Sequence, residues 1–320
     1  MLQSPYRKEW YVSTSIAKGF IGMQVGERIS TITEYAEQFA CSRGIVQNAL
    51  SLLEEEKAVV LHKQGKMGTF LAEKNEEVLF RYSGLNNLTA SMPPPINQHF
   101  AGLATGICSG IAHCPVPFTF AFVQGSENRV NALLSGAYDF AVTTRCSAEV
   151  YAAAHPELEI AFPFENCEYS LPYRLYINRP GMTGLLPGMT VAMDPTSLDH
   201  RIVTQMACAG KQVKIREMSF LSGIYAFYMG EIDDIVFRNG FEASTGDLLK
   251  LAMKDKNGIS HDQISELPLD EVNRDMQLPV VLVHRDNYGM VGILKKYLAG
   301  DVVGAIQRQV LNGSMVPRFY

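Results

Sequence analysis

Along the first 75 residues the apolar positions keep helical spacing and then change to alternation. Residues 12–22 predict a first helix closed by a glycine. Thr31-Ile32-Thr33-Glu34 predicts the start of a second. Thr31 can accept a hydrogen bond from a free backbone N–H of the first turn, and Glu34 can reach back to the backbone of Thr31. Tyr35, Ala36 and Phe39 then share one face. Ser42 is a suitable N-cap for a third helix running to about Lys57, with Ile45, Val46, Ala49, Leu50 and Leu53 at helical spacing. Residues 58–63 read as a strand, 64–68 as a turn with two glycines, and 69–71 as a returning strand. Residues 76–95 read as a linker with a first strand near 85–90, ending in three prolines that continue neither helix nor ladder.

From residue 96 onward helix and strand patterns alternate, which predicts an α/β domain over 96–320. Strands are expected at 118–123, 140–142, 190–193, 214–216, 235–237 and 278–285. Helices are expected at 130–134, 197–209 and 222–229, with closing helices over 292–311. Ser126 is the expected N-cap of the 130–134 helix. A faint echo runs through this domain. Leu133-Leu134-Ser135-Gly136-Ala137-Tyr138-Asp139-Phe140-Ala141-Val142 and Phe227-Tyr228-Met229-Gly230-Glu231-Ile232-Asp233-Asp234-Ile235-Val236, matched with one residue inserted, each give a helix end, a glycine, an acidic residue and a buried strand. Ordinary helix-to-strand loop chemistry accounts for this, and so do two similar lobes facing each other.

Composition narrows the class. The chain has 320 residues, enough for two domains, and is 47% hydrophobic, enough for a sizeable core. Its net charge of -5 argues against a protein that coats nucleic acid uniformly. That charge sits beyond residue 75, since residues 1–75 hold nine Lys/Arg and eight Asp/Glu. Six scattered cysteines form no C-x-x-C pair, the seven histidines have no metal spacing, and no metal or cofactor is expected. No signal core or membrane-length apolar run is evident, so a cytoplasmic location is expected.

Two helices joined by a very short turn and followed by a basic hairpin describe a winged helix-turn-helix over residues 1–75. Segment 26–71 resembles the winged helices of the GntR regulators, through Gly26-Glu27-Arg28-Ile29, Ala36-Glu37-Gln38-Phe39, Ser42-Arg43, Leu53-Glu54 and the wing Gln64-Gly65-Lys66 with Gly68-Thr69-Phe70. It departs at Gly44 and Gln47, and Met67 is an extra wing residue. Residues 118–144 and 188–238 resemble the lobes of a type 2 periplasmic-binding-protein fold, with a second lobe at about 170–277. Nearly the full length resembles the YhfZ-type regulators.

These resemblances imply a DNA-binding transcriptional regulator that senses a small molecule. The third helix would enter the major groove of double-stranded DNA. Ser42, Arg43, Gln47 and Asn48 would then meet base edges, Arg43 suiting guanine and Gln47 or Asn48 adenine. Thr33, with Ser42, would contact phosphates at helix N-termini, and Lys63 and Lys66 would follow the backbone from the wing. Glu54-Glu55-Glu56 is expected to face away from DNA. So few cations per chain imply a homodimer on an inverted repeat. In the second domain a cleft at strand C-termini would place Ser91, Ser126, Thr143, Thr144, Arg145, Asp194, Thr196, Ser197 and Ser219 near a small polar or anionic effector, with Arg145 meeting its charge. Each hydroxyl is more ordinarily a helix cap.

Two other classes stay open. One is an enzyme with a fused DNA-binding domain. G-x-S-x-G, H-E-x-x-H and G-x-x-x-x-G-K-[ST] are absent, His261-Asp262 reads as loop, and Asp233-Asp234 as solvated turn rather than an acid–base pair. The other is a protein-interaction module with a degenerate cleft.

Overall fold

The capping box expected at Thr31 is formed. Glu34 N donates to Thr31 Oγ1 at 3.2 Å, and Thr31 N donates to the Glu34 carboxylate at 2.6 Å. These bonds hold the Glu34 carboxyl below its ordinary range. Ser42 caps the following helix through Ile45 N. The computed structural model describes residues 5–238, 263–269, 274–298 and 300–319, and His261-Asp262 lies outside them. The chain forms two units, one of Met1–Thr89, Gly110–Thr119 and Val283–Ala299, the other of Ala90–Ser109, Phe120–Leu282 and Gly300–Tyr320.

In the first unit α1 (Pro5–Gly22) begins seven residues before its apolar pattern does. It is followed by α2 (Ile32–Gln38), α3 (Arg43–Glu55) and the antiparallel hairpin β1 (Val59–Lys63) and β2 (Thr69–Lys74). The wing tip is a short 3₁₀ turn at Gly65–Met67, and an isolated bridge from Arg28 to Phe70 extends the hairpin. Residues 76–95, expected as linker, contain α4 (Glu76–Ser83), capped by Asn75, and β3 (Leu88–Met92). The charged run at 73–77 concealed this helix, because its first turn is acidic and its apolar face is short.

Val12, Ile16, Ala17, Phe20 and Ile21 of α1 are completely buried. α1 packs on α3, on α4 and on α10 (Met290–Tyr297), a helix from far along the chain. The α1–α10 crossing brings backbones together: a Cβ added at Gly22 would lie 2.5 Å from the carbonyl carbon of Gly292. Lys74 Nζ reaches the end of α1 and donates to the carbonyl of Ile21 at 3.0 Å, supplying the cation that the last turn of α1 lacks. Glu76 bonds Lys296 and, at 3.0 Å, Tyr297, tying α4 to α10.

The second unit contains two five-stranded sheets. Sheet one has the order β4 (Phe118–Phe122), β3, β5 (Phe140–Thr144), β12 (Pro279–His284), β6 (Leu158–Pro163). Sheet two has the order β9 (Lys214–Glu217), β8 (Thr190–Met193), β10 (Asp234–Arg238), β7 (Tyr173–Ile177), β11 (Ser265–Pro268). The orders correspond: one strand is flanked by the next two in the sequence, β3 by β4 and β5 and β8 by β9 and β10, and the fourth position is taken by a strand outside that run, β12 in one sheet and β7 in the other. β3–β5 and β8–β10 are parallel, and β7 runs antiparallel to β10. The sequence echo falls at equivalent places, α6 (Ser126–Leu134) into β5 and α9 (Phe220–Tyr228) into β10, so the two-lobe reading applies. Helices α5 (Gln98–Ile111), α7 (Arg145–Ala154), α8 (Leu198–Cys208) and α11 (Gly300–Leu311) complete the domain. Among the described residues no helix is long and apolar enough to cross a membrane.

Asp233 and Asp234 part ways here. Asp233 pairs with Arg179 at 3.0 Å and accepts from Thr190 N. Asp234, expected in a solvated turn, is 0% exposed at the start of β10, and neither carboxyl oxygen has a hydrogen-bond partner. Burial, with Asp233 beside it, pushes its carboxyl up to about 7.

Two outcomes are expected. Gly22→Ala should destabilise the first unit by about 1–3 kcal/mol, read as a lower urea midpoint, because the methyl group meets backbone rather than a yielding side chain. Asp234 holds its proton in the folded chain through a range in which the unfolded chain has lost it. Its contribution to stability therefore falls as pH rises from about 4 to about 7. Asp234→Asn should raise the melting temperature at pH 7.5 and leave it near wild type at pH 4.5; equal effects at both would contradict the assignment.

Candidate nucleic-acid face and interlobe cavity

The exposed side of α3 and the wing together form a groove. Thr33, Arg43, Gln47 and Lys63 line it, joined by Thr31 and Thr69. Arg43, Gln47 and Lys63 are exposed, and Arg43 and Gln47 are one turn apart on the same face. Ser42 and Lys66 are exposed at its margins, and Ser42 is occupied as the cap of α3. Asn48 belongs elsewhere, in a second depression with Trp10, Ile45 and Tyr82. Glu54, expected to face away from DNA, lines the same groove as Arg43, because position 54 follows 43 by three helical turns. Arg28 is an exposed cation that the sequence reading left unassigned. Its side chain lies against Gly68, where an added Cβ would sit 2.6 Å from Arg28 Nε.

The second unit holds a cavity between its lobes, about 600 Å³ including its open mouth. Of the nine expected residues, Ser126, Thr143 and Ser197 line it. The other six do not, and most have a visible local task. Thr144 caps α7, and Ser219 caps α9 from an exposed position. Asp194 is buried and accepts from both the backbone and the hydroxyl of Thr196 and from Phe220 N, which fixes the turn after β8 and the start of α9. Arg145 is the first residue of α7, with its backbone N–H on Leu278 O, and is not part of the lining. Ser91 is completely buried within β3. Ser126 is not the N-cap of α6; Gly125 holds that place, and the Ser126 hydroxyl accepts from Leu198 N across the cleft.

The lobes touch directly at this line. Glu127 N donates to Thr196 O at 3.0 Å, and Gly125, with φ of 82°, brings its backbone so near Thr196 that a Cβ would lie 2.3 Å from the threonine hydroxyl. Buried Asp199 of α8 accepts on one carboxylate oxygen from Thr144 (3.0 Å) and Ser147 (2.8 Å) at the start of α7. A carboxylate from one lobe thus sits at the positive end of a helix of the other. His200 accepts on Nδ1 from Asp194 N at 3.0 Å and donates from Nε2 to Val236 O at 2.9 Å, which sets the neutral tautomer.

Sequence reasoning passed over the charged lining residues. Arg129, on α6, is 3% exposed, donating to Val123 O at 2.8 Å and to the Tyr169 hydroxyl at 3.1 Å. Tyr169 packs edge-on against Phe100, and Phe220 against His200. Arg129 and Asp199 sit in the first turns of helices, where charged residues ordinarily face solvent; Asp199 is held against the start of α7 in the other lobe, and Arg129 against Val123 and Tyr169.

Two α/β lobes of equal strand order with a cavity between them, preceded in the sequence by a winged helix-turn-helix, give the architecture of a helix-turn-helix regulator joined to a periplasmic-binding-protein-like α/β domain. Residues 24–71 match the family described as a helix-turn-helix domain, and residues 75–319 match the YhfZ C-terminal domain. The chain belongs to the YhfZ C-terminal domain family. It is 28% identical over 315 residues to the YhfZ protein of Escherichia coli (strain K12), covering 98% of each. The crystal structure of YhfZ from Shigella flexneri superposes with a TM-score of 0.58 at 25% identity, covering 76% of this chain and 97% of that one. The methionine-binding protein MetQ gives a TM-score of 0.48 at 16% identity, over 73% and 99%.

The interlobe carboxylate is testable alone. Asp199→Ala removes a charged acceptor from two buried hydroxyls, and should lower the unfolding free energy by about 2–4 kcal/mol, measured by urea denaturation. A loss below about 0.5 kcal/mol would mean that Asp199 does not hold the lobes together.

Proposed function

We propose that the chain is a sequence-specific transcriptional regulator that reads double-stranded DNA with its winged helix and senses a small polar or anionic effector in the interlobe cavity. The observation that carries this reading is the groove in which Arg43 and Gln47 stand exposed on one face of α3 beside Lys63 of the wing. In the major groove Arg43 pairs with guanine and Gln47 with adenine, while Thr33, Ser42, Lys63 and Lys66 meet phosphates. The match of residues 24–71 to a helix-turn-helix domain supports this docking. Asn48, in its separate depression, has no part in it. Glu54 limits how far α3 lies along the groove, since a carboxylate there repels phosphate.

The regulator acts as a cytoplasmic homodimer on an inverted repeat, because the cations of one copy give only a small phosphate contribution. It carries out no chemistry on its effector. Lobe closure is passed to the DNA-binding unit, whose three chain segments interleave with the effector domain along the sequence.

Genomic DNA capture by the purified full-length chain tests the reading. Wild type should enrich one short palindromic site. Arg43→Ala should weaken binding to it by about tenfold or more, the worth of about 1–3 kcal/mol for a bidentate base contact. No enrichment at low or moderate salt, with or without a cell metabolite extract, would overturn it. A monomer that binds as tightly as the dimer would overturn the inverted repeat alone.

A further inference from the structure

Within the interlobe cavity one charge is left without its complement. Arg129 is buried, and its two hydrogen bonds go to neutral groups, a carbonyl and a phenol. Among the described residues no carboxylate lies within ion-pair distance of it, and its Nε has neither a protein partner nor solvent access. Thr143, at the end of β5, lines the same cavity, and its hydroxyl is buried and without a partner too. Buried donors are almost always satisfied, and a buried guanidinium with no anion is among the costliest exceptions. The other cleft polar groups contrast with this: Ser126, Thr144 and Ser147 all have partners across the cleft. Among the residues that line the cavity, the buried side-chain atoms left without a partner thus belong to Arg129 and Thr143, both of one lobe.

We infer that Arg129 and Thr143 form the anion subsite of the effector cavity, and that the effector is an organic monocarboxylate. The inference rests on reading the cavity as an effector site. A carboxylate accepts from the guanidinium Nε–H and a neighbouring Nη–H side by side, a geometry that Arg suits, with Thr143 as a third donor. One acid group is specified rather than two, or a phosphate. Among the described lining residues Arg129 is the one permanent cation, His200 accepts on Nδ1 and donates from Nε2 as a neutral ring does, and Asp199 adds a negative charge that opposes a second acid group. The remaining walls include Phe100, Tyr173 and Phe220, which suit an apolar or aromatic body.

The test uses the full chain and monocarboxylates from acetate to phenylpropionate, each beside its amide, with inorganic phosphate and succinate as other anions. Calorimetry and thermal shift are the readouts. At least one monocarboxylate should bind saturably, its amide at least tenfold more weakly, and phosphate and succinate not measurably. Arg129→Gln should weaken the acid at least tenfold and leave the amide unchanged, and Thr143→Val, which keeps the side-chain shape, should weaken it severalfold. Without ligand, Arg129→Met should melt about 2–4 °C higher than wild type, because an uncompensated charge leaves the interior. A lower melting point would make Arg129 a strut for Val123 and Tyr169, and would overturn the inference, as would undiminished acid binding in Arg129→Gln. Amides binding as well as acids would sink the carboxylate while leaving a sensing cavity. Phosphate or succinate binding in preference would also sink the monocarboxylate. If no compound binds and a metabolite extract does not change operator affinity, both the inference and the sensing reading fall.

Discussion

The first helix cannot be buried by the winged helix alone, and much of the first unit follows from that constraint. α1 has apolar residues on more than one side, so α3 covers one side while α4 and α10 cover others. Paired glycines let the α1 and α10 backbones approach, and Lys74 of the wing holds the carbonyls where α1 ends. The aromatic residues continue the same logic: Phe39 of α2 meets Tyr11 and Tyr35 on one side and Tyr288, just before α10, on the other. The placement of α3 is therefore set by a framework that includes residues far outside the DNA-binding segment.

The second unit solves a different problem, that of charges inside a cleft. Asp194 and Asp199 are both buried and both engaged, one organising a turn within its lobe and the other linking the lobes at a helix N-terminus. Their hydrogen bonds make them structural. Arg129, which shares the cavity lining with Asp199, is bonded only to a carbonyl and a phenol, and its Nε has no partner.

What the sequence made legible were features with local causes. Capping at Thr31 and Ser42 depends on residues three apart, and the wing on an alternating pattern with glycines, so both were readable. The echo between 133–140 and 227–234 pointed to two lobes because equivalent strands need the same helix-to-strand connection. Features with remote causes were not readable. α4 looked like linker because its apolar face is completed by α1 and α10 rather than by its neighbours. Arg145 seemed the better anion ligand because it directly follows a strand, whereas Arg129 becomes buried only once Val123 and Tyr169 close over it. Glu54 misled for a simpler reason: a run of three glutamates cannot have all its members on one helical face.

The dependence of α1 on α10 also bears on how the chain comes to be folded. Gly22 of α1 leaves the ribosome about 270 residues ahead of Gly292, against which it packs. At roughly 5–20 residues per second the interval is on the order of tens of seconds, during which the α1 surface that will meet α10 is bare. The winged helix is thus synthesised well before the helix that completes it, a window in which chaperones or a second nascent copy have access to that surface, and a chain cut short before residue 290 never closes it.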